Sequence, residues 1–126
     1  MICYKVVTEE DGEYYSSFVS NPKVRVKYPL HKWVKAMFGK IFTYRSKYEA
    51  FERLAYVKRR ADYKIFLVEA KGVNVANKIL PFQYMNDYRN IREFWQGKYS
   101  YELQQAPNGV LMCDKIKLIK EVKYNL

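Results

Sequence analysis

Histidine occurs once in the 126 residues, at His31, and cysteine twice, at Cys3 and Cys113. With so few soft ligands there is no CxxC or HExxH pair, no carboxylates stand at ligand spacing, and no metal site is expected. Two thiols near opposite ends do not make a disulfide framework, which fits a reducing, cytoplasmic setting. Five glycines and four prolines are too few for a linker-rich chain, and the glycines are isolated from one another. Neither a Walker loop nor a GxGxxG turn is therefore present. No stretch of about 18 apolar residues occurs, and the opening Met1 to Lys5 leads into an acidic turn instead of an apolar leader, so neither a membrane span nor a signal peptide is expected. GxSxG is missing, no cysteine stands near a base, and His31 beside Lys32 and Trp33 reads as a surface or turn residue. No catalytic residue and no cofactor is assigned.

What the chain does have is apolar mass and positive charge. Hydrophobic residues make up 49% and aromatic residues 17%, with thirteen tyrosines. This suits one compact domain over residues 1–126 with a substantial core. Tyrosine pairs an apolar ring with a polar tip and fits half-buried strands, interfaces and base stacking. The net charge is +10, and it is unevenly spread. Residues 21–60 hold twelve Lys and Arg against Glu49 and Glu52; the first twenty residues are net acidic, and the remainder is mildly basic. A contiguous field of one sign selects phosphates, anionic lipid or acidic proteins as partners.

The local pattern predicts a hairpin first, Tyr4 to Val7 and Tyr14 to Val19 around Glu9-Glu10-Asp11-Gly12, ended by Asn21-Pro22. Val24, Val26 and Tyr28 alternate with Arg25 and Lys27, giving a strand with one cationic face. Trp33-Val34 and Ile41 to Tyr44 read as further strands. Ser46-Lys47-Tyr48-Glu49 has the form of a capping box. It opens a helix through Tyr48, Phe51, Leu54 and Ala55 that closes on Lys58-Arg59-Arg60, where cations complement the helix dipole. Tyr63 to Ala70 is expected to be a central strand. Residues 73–85 read as an irregular connection packing through Ile79, Leu80 and Phe82, and Asp87 to Gln96 as a second helix with Gly97 at its C′ position. Tyr99 to Leu103 reads as extended, Pro107-Asn108-Gly109 as a turn, and Val110 to Cys113 and Ile116 to Val122 as final strands. The expected fold class is α+β: a mainly antiparallel, meander-like sheet with one central capped helix and a second short helix.

The candidate site is the basic segment with its aromatics: Arg25, Lys27, Lys32, Trp33, Lys35, Lys40, Tyr44 and Arg45, followed by Lys58, Arg59 and Arg60. Cations attract backbone phosphate, and exposed rings stack on bases for about 1 to 3 kcal/mol each. The competing reading is a solvated cationic face over a core built from the same rings. Trp33, in an extended W-V pair, is expected in the core rather than on a stacking platform.

Residues 28–54 carry a resemblance. Tyr28, Trp33-Val34-Lys35-Ala36, Gly39-Lys40-Ile41-Phe42-Thr43-Tyr44, then Ser46, Ala50 and Phe51 resemble a pattern in small uncharacterised proteins of phages and bacteria. The closing Ala106-Pro107-Asn108-Gly109-Val110-Leu111 and Lys115-Ile116-Lys117-Leu118 resemble the same family. The matches cover strand, turn and cap residues, so the resemblance implies a shared fold and brings no activity. It makes the protein phage-like, with interference in a host process or defence system as a natural role in the host cytoplasm.

Two functions are carried forward. One is a small non-catalytic binding protein whose partner is nucleic acid, a nucleotide or an acidic host protein. The other is an ADP-ribosyltransferase-like enzyme or its degenerate relative, suggested by a resemblance of Gly39, Phe42, Tyr44 and Ser46 to a strand-to-helix step of such folds. Lys5 and His31 are poor counterparts of that fold's first-strand residue, and Glu69 and Glu102 are its only candidate acids.

Overall fold

A computed structural model describes residues 1–17, 24–36, 38–55, 62–80, 84–99 and 102–123. The elements run β1 (Ile2–Glu10), β2 (Glu13–Ser16), β3 (Trp33–Lys35), β4 (Ile41–Tyr44), α1 (Lys47–Leu54), β5 (Tyr63–Lys71), β6 (Asn74–Val75), β7 (Lys78–Ile79), α2 (Tyr88–Gln96), β8 (Gln104–Gln105), β9 (Val110–Cys113) and β10 (Lys115–Val122). This is the expected α+β class, a mainly antiparallel sheet with two helices.

The first hairpin forms because Asp11 and Gly12 both take positive φ, 53° and 78°. That is the backbone hand a two-residue turn needs to match the twist of its strands. β1 reaches Glu10, so Glu9 and Glu10 belong to the strand rather than to the turn. Val24 to Tyr28 then runs beside β2, with Ser16 N–H donating to the Val26 carbonyl and Tyr28 N–H to that of Tyr14. Its predicted alternation holds: Val24 and Tyr28 are buried and Lys27 is exposed. Among the described residues a single bridge, Tyr15 to Lys27, pairs it to β2. The predicted end of the second strand at Val19 and Asn21-Pro22 lies outside the described residues.

The main sheet is ordered β3-β10-β5-β1-β4-β9-β6, with β2 also on β1. The order departs from a meander. Within it, β1 and β2 are the only chain neighbours that pair, and β9 and β10 do not form a hairpin. A single residue, Asp114, separates β9 from β10, yet they lie on opposite sides of β5-β1-β4. One strand bent at Asp114 thus joins the two halves and curls the sheet round its inner face. That face holds Cys3, Val7, Ile41, Phe66, Val68, Ala70, Leu111, Cys113, Ile116 and Leu118, all buried.

On the outer face, α1 packs Ala50 and Leu54 against Val6 and Ile65. The Ser46 half of the predicted capping box forms, its hydroxyl accepting from Glu49 N–H at 3.3 Å, whereas the Glu49 carboxylate accepts from Arg45 instead of reaching back to the helix start. The predicted stop at Lys58-Arg59-Arg60 lies outside the described residues. α2 begins where the Asp87 carboxylate accepts from Arg89 N–H at 2.8 Å and ends on Gly97 in the left-handed region. Of the stretch 73–85, residues 74–79 are more regular than their sequence implies, because β6 adds to β9, and β7 pairs with β8 in a second small sheet. Strands of two residues carry no readable period. Ile79 and Leu80 pack inward as expected, while Phe82 is outside the described residues.

Candidate functional site

Four of the basic residues picked out in the sequence have carboxylate partners. Arg25 meets Glu10 at 2.5 Å and lies over the Tyr15 ring at 3.7 Å; Lys27 meets Glu13 at 2.7 Å, Arg45 meets Glu49 at 3.0 Å, and Lys40 pairs with Asp114. The first two follow from the hairpin, which returns the acidic first twenty residues over the 24–28 segment. Hydrogen bonding to these carboxylates raises the pKa of Arg25 and Lys27, and Lys27 lowers that of Glu13. Exposed pairs of this kind add little stability, but they cancel local field. Lys32 and Lys35 are exposed. Tyr44 is half-buried with its hydroxyl toward Arg53, and burial pushes its pKa up. Lys58, Arg59 and Arg60 lie outside the described residues.

A different cationic group forms at the edge of the sheet. In the register of β3, β10 and β5, Lys35, Lys115 and Lys71 stand directly across from one another, and Trp33, Lys117 and Glu69 form the parallel row. All six lie on the outer face, since Val34, Ile116 and Ala70 between the rows point inward. Trp33 is half-buried here rather than in the core. Its ring centroid is 4.6 Å from the Lys71 ammonium, 5.0 Å from Lys117 and 5.4 Å from Lys115. Glu69 is the carboxylate of the group, 3.6 Å from Lys117. Like charges directly opposite on neighbouring strands repel, so four lysines against one carboxylate make a surface that gains from an anion. Lys71, Lys115 and Lys117 were not singled out from the sequence. The alternation Lys115-Ile116-Lys117-Leu118 shows a cationic strand face, but nothing in it says that Trp33 and Lys35 lie alongside.

The second feature is a cleft inside the sheet. β4 pairs with β1 at Tyr4–Tyr44 and then diverges, while β2 takes its place along β1 from Val7 onward. Lys5 sits at the fork, 8% exposed, and its ammonium donates to the Phe42 carbonyl at 2.7 Å. A cavity of about 160 Å³ opens there. Val24, Val26 and Tyr28 form one wall, Ile41 and Phe42 another, and Ile79, Leu80, Phe94 and Trp95 close over it. Gly39 permits this roof: at φ 61°, a Cβ on it would run into the Trp95 ring. Trp95 in turn stacks on Phe42, centroids 5.4 Å apart.

Burial lowers the Lys5 pKa to about 8. Beside it the Thr43 hydroxyl lies 3.4 Å from the Cys3 sulfur and 3.3 Å from that of Cys113. The hydrogen bond between the two thiols pushes Cys3 up, with burial adding to it, and draws Cys113 down against the opposing effect of burial. Burial also raises Tyr28. Among the described residues no three His, Cys, Asp or Glu gather as a metal site. Glu69 and Lys5 face opposite sides of the sheet, and Ser46 is engaged as a helix cap.

No family model matches the chain, and neither a curated protein nor a solved structure does so.

Proposed function

We propose that the protein is a non-catalytic binder of single-stranded nucleic acid and that the β3-β10-β5 face is the binding surface. One observation carries this reading: the uninterrupted cross-strand row Lys35, Lys115 and Lys71, with Lys117 and Trp33 alongside. Neighbouring strands are about 4.8 Å apart, so the row presents ammonium groups across roughly 10 Å of flat sheet. Phosphates neutralise the mutual repulsion of the lysines, and the indole offers a surface for a base once a lysine swings aside to a phosphate. In a phage setting, such binding supports interference with a host process.

Fluorescence anisotropy with a labelled 15-nucleotide oligothymidine tests the reading. With about four phosphates neutralised, log K should fall against log salt with a slope near −3. The variant K35Q/K71Q/K115Q/K117Q should lose binding at least tenfold at low salt, whereas R25Q/K27Q/R45Q, whose cations already have carboxylate partners, should change it less than threefold. If both variants weaken binding equally, the field is diffuse and the site assignment is wrong. Retention of an acidic protein but not of oligonucleotide by the unsubstituted chain would replace nucleic acid with a protein partner.

A further inference from the structure

Lys5 is a buried cation for which the described residues supply no carboxylate. Of the other cations lining the cavity, Lys40 is held by Asp114, and Arg53 lies at the Tyr44 hydroxyl. Among the described residues the titratable groups facing Lys5 are the Cys3 and Cys113 thiols and Tyr28, whose ring centroid is 5.8 Å from its ammonium. An ammonium has three N–H donors. One goes to the Phe42 carbonyl, and donor capacity remains at the wall of an apolar cavity. Burying a charge without a counter-ion is costly, and a group that supplies the missing charge recovers that cost.

The cavity limits what can do so. At about 160 Å³ it is close to the roughly 150 Å³ apolar cavity known to hold one benzene ring. Its walls are mostly aliphatic and aromatic, with Phe42 and Trp95 already stacked at 5.4 Å to continue a ring pile. A phosphate is a poor match, because a dianion would meet one available cation and a surround of hydrocarbon.

We infer that the cleft between β2 and β4 binds a small aromatic monocarboxylate, its carboxylate on the Lys5 ammonium and its ring against Phe42 and Trp95. The site is separate from the lysine rows, since Lys5 points inward and those rows lie on the outer face. Binding adds charge complementarity that folding alone leaves unmet, so affinity depends on Lys5 being protonated. It should weaken as the pH rises through the Lys5 titration near 8.

The probes are benzoate and the uncharged benzyl alcohol, followed by heteronuclear NMR on the full chain. Benzoate should shift resonances of Lys5, Phe42 and Trp95, and should raise the titration midpoint of the Lys5 Cε resonance by about one pH unit, which is a tenfold preference for the charged amine. Lys5→Met should weaken benzoate at least tenfold and leave benzyl alcohol within threefold. K35Q/K71Q/K115Q/K117Q should bind benzoate as the unsubstituted chain does, whatever becomes of its oligonucleotide binding. The inference is overturned if benzoate and benzyl alcohol bind alike, if the Lys5 midpoint does not move, or if the shifts map to the lysine rows. The midpoint is read on the unsubstituted protein, so it decides the matter even if the Met variant does not fold.

Discussion

At the scale of single residues, Lys5 carries a burial penalty that depends on pH. Its fall from an ordinary 10.5 to about 8 corresponds to ~3 kcal/mol of unfavourable burial whenever it is charged. Between pH 8 and 10.5 the unfolded chain holds this proton and the folded chain does not. Unfolding therefore takes up a proton, and stability rises with pH across that window. The gain is complete above 10.5 and absent below 8. Urea titrations at several pH values should show the unsubstituted protein gaining about 3 kcal/mol across the window relative to Lys5→Met. A parallel pH course for the two proteins would contradict this account of Lys5. Tyr28 works in the opposite sense, since burial raises its pKa and penalises the folded state as the phenol ionises in the unfolded chain. Taking the difference between the two proteins removes that contribution.

At the scale of elements, local signals with a mechanism were legible in the sequence. Ser46 is a helix cap because its hydroxyl has one geometric job, accepting from Glu49 N–H. Ser46→Ala should lower stability by about 1 kcal/mol in thermal or urea melts, with oligonucleotide affinity unchanged because α1 lies away from the lysine rows. A loss of affinity without a loss of stability would move Ser46 into the binding surface. The Asp11-Gly12 turn and the Gly97 stop of α2 were readable for the same reason, as each needs a residue that tolerates positive φ. Strand partners were not readable. Cys3, Lys5 and Val7 alternate with Tyr4, Val6 and Thr8, but both faces of β1 are covered, so period two does not say which side is inside. Lys5 thus passed as one cation in an acidic segment. Trp33 was placed in an extended stretch, yet its lysine neighbours come from residues 71, 115 and 117, and register across that distance is set by tertiary packing.

At the scale of the whole molecule, the charge that is segregated along the chain is redistributed by the fold. The acidic hairpin closes over Arg25 and Lys27, Asp114 takes Lys40, and excess positive charge reappears where three strands meet. Charge counted along the chain overstates the field around Arg25, Lys27, Lys40 and Arg45 and understates that of β10. Replacing Glu10 and Glu13 by Gln should release two cations and raise non-specific polyanion retention at low salt, without steepening the specific salt slope. A heparin column run beside the anisotropy titration separates these effects.

The strand bent at Asp114 also carries a kinetic consequence. β10 lies between β3 and β5, one strand in from the edge of the sheet, yet it follows every other described strand along the chain. A chain emerging from the ribosome can form the first hairpin and α1, but the flank of β5 stays unpaired until β10 arrives. Pairings so distant in sequence fold slowly, in milliseconds to seconds. During that interval the exposed flank of β5 is a template for another nascent copy. Synthesis of this protein should therefore depend on chaperones or low expression temperature more than the stability of the finished fold implies, and stalled chains ending before Lys115 should appear in the aggregated fraction.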